Sequence, residues 1–79
     1  MTDFLNLKKS YIAATEMGLV ANAGYQSCKY ANDFMHKLCE IYVDNSNYCD
    51  TDKAAMKQEL QLLKESLSKQ IEEFYQKRQ

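Results

Sequence analysis

Apolar residues recur at steps of three and four along almost the whole chain, and no proline interrupts them. Such steps follow one face of an α-helix, which turns once every 3.6 residues. The clearest run is Met56, Leu60, Leu63, Leu67, Ile71 and Phe74, spanning eighteen residues, or five turns. The opposite face carries Gln58, Gln61, Glu65, Lys69, Glu72 and Gln76, all polar. Asp52 stands at one end and Lys77 and Arg78 at the other, each with the sign favoured by the helix macrodipole. The pattern predicts a helix over 52–78, with Asp50 or Thr51 as its N-cap.

Residues 44–51 read as a loop. Asp44, Asn45, Ser46, Asn47 and Asp50 carry short polar side chains that bond to the nearby backbone and compete with helix.

Upstream, the same stepping runs without slippage through Phe4, Leu7, Tyr11, Ala14, Gly18, Ala21, Tyr25, Cys28, Asn32, Met35, Cys39 and Tyr42. A second row holds Leu5, Ile12, Leu19, Tyr30, Phe34, Leu38 and Ile41. One helix over about 3–43 would satisfy both rows and reach about 60 Å at 1.5 Å per residue. Gly18 and Gly24 are the only glycines. Each costs about 1 kcal/mol relative to alanine inside a helix, which does not by itself end one. The alternative is a turn at Asn22-Ala23-Gly24, with Gly24 closing the first helix and Ser27 capping the next.

These elements predict an all-α fold: an antiparallel hairpin of a long N-terminal helix, kinked or broken near Gly18 and Gly24 in the alternative, and a C-terminal helix. The short loop sets the C-terminal helix against 25–42, so the first twenty residues project beyond it. They carry Phe4, Leu5, Leu7, Tyr11, Ile12 and Met17. Each such side chain is worth about 1.5–3 kcal/mol when fully buried. A chain of this length draws little stability from its own core. The expected remedy is self-association into a helical bundle as a homodimer or higher homo-oligomer, with those six residues as the partner-binding surface. Folding back as the third helix of a self-contained bundle is the runner-up.

Charge narrows the function classes. Residues 1–50 hold four lysines against six carboxylates (−2), and 51–79 hold six basic against five acidic groups (+1), giving −1 overall. Neither half has the basic stripe of a nucleic-acid binder. No apolar run is long enough to span a membrane, and the first residues lack the pattern of a secretory signal. Cys28, Cys39 and Cys49 form an odd set, unlike the even disulfide framework of small secreted domains. The reading is a cytoplasmic chain with free thiols.

Three groupings resemble chemical sites in part. His36 and Cys39, with Cys28 and Cys49, offer zinc-type ligands but none of the usual paired spacings. Cys39 with His36 and Glu40 suggests a nucleophilic triad, but no glycine-rich loop is there to build an oxyanion hole. Asp44, Ser46, Asp50 and Asp52 have the composition of a calcium loop without its glycine and terminal glutamate. The expectation is therefore no cofactor, no metal and no catalysis. The favoured role is a protein–protein interaction module, as adaptor, co-chaperone or inhibitor, acting through exposed helical apolar surface. The alternative is an oligomer that holds a small anionic ligand such as a nucleotide between subunits, with Tyr11 and Tyr25 stacking on it and Lys8 and Lys29 meeting its charge. Asn32 breaks the apolar row and is a candidate for setting register.

Overall fold

The computed structural model describes residues 2–77, which form three helices: α1 (Thr2–Val20), α2 (Tyr25–Asp44) and α3 (Asp50–Lys77). Arg78, assigned above to the last turn, lies outside the described residues. The chain is 46 Å long and 17 Å across in the other two directions. That length is close to the roughly 42 Å that a helix the size of α3 spans.

The single helix expected over 3–43 is two helices. Asn22 adopts a left-handed φ of 53°. The Asn22 amide donates to the Leu19 carbonyl at 3.0 Å, and the Ala23 amide donates to the Gly18 carbonyl at 3.1 Å. Those two bonds make a Schellman motif with Asn22, not Gly24, in the left-handed position. Asparagine tolerates that conformation better than other residues with a Cβ. Gly24 starts α2 instead, at φ 108° and ψ 152°, with no side-chain cap. That region belongs almost solely to glycine. The Gly24 carbonyl accepts the first bond of α2, from the Cys28 amide, so Ser27 lies inside the helix rather than capping it.

α3 begins at Asp50, two residues before the expected start, and Asp50 and Asp52 both fall in its first turn. Across the link from α2, Lys53 donates from Nζ to the Asp44 carbonyl at 2.9 Å, and Lys57 pairs with the Asp44 carboxylate.

Residue numbers descend along α3 as they climb along α2. Tyr25 meets Tyr75, Asp33 meets Lys64, and Asp44 meets Lys57. α1 lies against both, with Lys8 on Glu59 and Tyr11 on Asn32. α3 buries Met56, Leu60, Leu67 and Ile71 from its expected row, with Leu63 half-buried beside them. α1 contributes Phe4 and Tyr11, and α2 contributes Cys28, Cys39 and Val43.

α1 thus covers what the hairpin reading left bare. Phe4 and Tyr11 are buried, and Leu7 and Ile12 pack partly buried against the core. Of the six residues expected to meet a partner, only Leu5 and Met17 stand exposed. The reason is the turn at 21–24, which returns the first helix along the other two and gives its apolar row a partner within the chain.

Candidate docking face on the second helix

α2 is apolar on two sides, and the bundle covers one of them. The covered side holds Cys28, Asn32, His36, Cys39 and Val43. The other presents Tyr30, Phe34, Leu38 and Ile41, whose steps of 4, 4 and 3 hold them on one face for three turns. They are 70%, 62%, 44% and 54% exposed, and Tyr42 extends the patch at 44%. At about 200 Å² for a large aromatic side chain, and somewhat less for leucine or isoleucine, the five expose on the order of 500 Å². That is at the upper end of what a monomer leaves bare in one patch. Removing it from water would be worth roughly 10 kcal/mol at 25 cal/mol per Å².

The inner face makes the outer one more telling. Asn32 and His36 are buried while Phe34 and Tyr30 are in water. Asn32 is satisfied there. The Tyr11 hydroxyl donates to its backbone carbonyl at 3.0 Å and to its side-chain Oδ1, and its Nδ2 donates to the Lys64 carbonyl at 3.1 Å. His36 is less well placed. Its Nδ1 lies 3.6 Å from Glu40 Oε1, and its Nε2 is buried with no hydrogen-bond partner among the described residues. His36 takes the inside position that the stepping of the sequence gives to Met35, because the buried row on α2 runs through Cys28, Asn32, His36, Cys39 and Val43.

The four residues considered for an anionic ligand do not converge. Tyr11 is in the core. Lys8 pairs with Glu59 at 3.0 Å and lies 5.0 Å from the Phe4 ring centre. Lys29 donates to the Tyr25 hydroxyl at 3.3 Å and pairs with Glu72 at 3.8 Å. The bond to Tyr25 and the charges around it hold the Lys29 ammonium above its ordinary pKa. Glu59 and Glu72 are thirteen residues apart on α3, about 20 Å along the axis, so the two lysines serve separate contacts.

Among the described residues, no group of three or more His, Cys, Asp or Glu side chains comes together to hold a metal ion. The three cysteines are free, with Cys28 and Cys39 buried and Cys49 exposed. Burial raises the Cys39 thiol above its ordinary pKa, which disfavours the thiolate that a nucleophile requires. No helix among the described residues is long and apolar enough to cross a membrane.

A groove between α1 and α3 is lined by Leu5, Ile12, Leu62 and Leu63 together with Lys8, Lys9 and Glu59. The outer row on α2 was visible in the sequence as a secondary stripe. Nothing local showed that it, rather than the N-terminal row, would stay uncovered.

No family model matches this chain, and no curated protein or solved structure matches it.

Proposed function

We propose that this chain is a small non-enzymatic interaction module, an adaptor, co-chaperone or inhibitor, that works by docking the outer face of α2 onto protein. The observation that carries this reading is the row Tyr30, Phe34, Leu38 and Ile41, exposed on a helix whose inner face buries Asn32 and His36. A helix that keeps polar groups inside and large apolar groups outside has its better hydrophobic face still unmatched. Aromatic side chains are enriched where protein interfaces form. The site differs from the N-terminal row expected from sequence, while the kind of surface is the same. Three free cysteines fit a reducing, cytoplasmic setting. The anionic-ligand alternative loses support because Lys8 and Lys29 stand far apart and are already paired.

The test is site-specific photo-crosslinking in the cells that make the protein. A photoreactive group replacing Phe34 should give protein adducts of discrete mass, and the same group replacing Gln61, on the exposed polar side of α3, should not. Equal adduct patterns from both positions, or none from position 34, would overturn the reading.

A further inference from the structure

We infer that the protein docked on the outer face of α2 is a second copy of this chain, packed antiparallel about a two-fold axis that passes between the two copies of α2, level with residues 35–36. This rests on the reading above and names the partner for that face.

Two features of the face select this occupant. The first is charge. Asp33 and Lys37 stand one turn apart on the same edge of the apolar row. A two-fold axis perpendicular to both helices brings like edges together and reverses their order. Asp33 then faces Lys37 of the second copy, and Lys37 faces Asp33 of the second copy. The same register sets Phe34 across from Leu38 of the second copy, and Tyr30 across from Ile41 of the second copy. A parallel pairing, whose two-fold axis runs along the helices, would instead set this charged edge against the opposite edge of the second copy, and Asp33 and Lys37 would not meet each other. Asp33 also accepts from Lys64 within its own chain at 3.3 Å, with its side chain 54% exposed. A carboxylate with two oxygens has room for a second cation.

The second feature is area. With about 500 Å² from each copy, the joined patches bury about 1,000 Å², the size at which a specific interface becomes credible. Both halves of a two-fold interface come from one patch, so a self-complementary face is sufficient. Residues Tyr30–Ile41 supply the apolar centre and a matched charge edge together.

Sedimentation from about 1 µM to about 0.5 mM tests the pairing, with circular dichroism confirming that each variant keeps its helix. The wild type should dimerise. Phe34→Glu should weaken the dimer by at least about a hundredfold, since it strips two buried rings per assembly, and Ile41→Gln should weaken it in the same direction. Lys37→Asp alone should weaken it by about three- to tenfold. Mixing Lys37→Asp with Asp33→Lys should restore association as a heterodimer, and the double charge swap should restore the homodimer.

A wild type that stays monomeric throughout would overturn the inference. So would a dimer indifferent to Phe34→Glu and Ile41→Gln, or one whose charge variants show no reciprocal rescue. A monomer that instead co-sediments with anionic lipid vesicles would overturn it in favour of a membrane surface. Failure of this pairing is separable from failure of the functional reading. Adducts from position 34 to a different protein sink only the dimer, whereas no adduct of any mass sinks both.

Discussion

The Tyr11 hydroxyl on α1 donates to Asn32 on α2, and Asn32 in turn donates from Nδ2 to the Lys64 carbonyl on α3. One buried side chain thereby ties all three helices at a single level. Asn32 is a specificity device as well as a contact, because sliding α1 along α2 would strand both groups away from water.

Tyr11→Phe should therefore cost about 1–3 kcal/mol, the penalty of leaving a buried acceptor unmet. For a chain of this size that lowers Tm by roughly 4–8 °C per kcal/mol. Asn32→Ala should cost at least as much, since it leaves the buried Tyr11 hydroxyl without its side-chain acceptor and also removes the bond to α3. A double-mutant cycle by thermal melting should show strong coupling between the two positions. Additive losses would show that the hydroxyl and the amide do not act as a unit.

Alkaline pH should destabilise the fold through Tyr11 and Cys39. Burial, with smaller contributions from Cys39 and Asp33, raises the Tyr11 pKa far above its ordinary 10.0. Burial likewise raises the Cys39 thiol above its ordinary 9.0. Both groups are neutral when protonated and both are raised in the fold. Their contribution is whole below the unfolded values and is lost as pH rises past those values towards the folded ones. Tm should hold steady to about pH 9 and then fall. The fall should be shallower in Tyr11→Phe, once its lower starting Tm is taken into account. Parallel pH profiles for the two proteins would remove Tyr11 from this account.

The two glycines should respond with opposite sign. Gly24 sits at φ 108°, with nothing within 4 Å of where a Cβ would stand. Gly24→Ala meets no clash there, yet should cost about 1–3 kcal/mol from backbone strain alone. Gly18 lies inside α1, and a Cβ there would stand 3.4 Å from Cys28 Sγ. Gly18→Ala should gain helix propensity, up to about 1 kcal/mol, and leave Tm equal or higher. Chemical denaturation of the two variants separates the cases. A drop for Gly18→Ala would mean that the helix seam needs the missing methyl.

Thiol labelling should read the fold directly. Under native conditions a maleimide should modify Cys49 quickly and leave Cys28 and Cys39 almost untouched, since only Cys49 is exposed. In denaturant all three should react. Mass spectrometry over a time course counts the adducts. Fast native labelling of Cys39 would mean that the bundle opens far more readily than its buried row implies.

Local chemistry alone was enough for the helical class, the link around 44–51 and the buried row of α3, because each follows from neighbours a few residues apart. Met56, Leu60, Leu67 and Ile71 share a face by their spacing, and five turns of polar side chains on the opposite face leave that helix only one way to bury itself. α2 posed a different problem. Its spacing shows two apolar rows, and periodicity reports which residues share a face without saying which face finds company. The three-dimensional packing made that choice. The left-handed turn at Asn22 folds α1 back, Tyr11 arrives with a hydroxyl that needs an acceptor, and Asn32, twenty-one residues away, provides it. The side of α2 bearing Asn32 and His36 goes in, and Tyr30, Phe34, Leu38 and Ile41 are left facing outward.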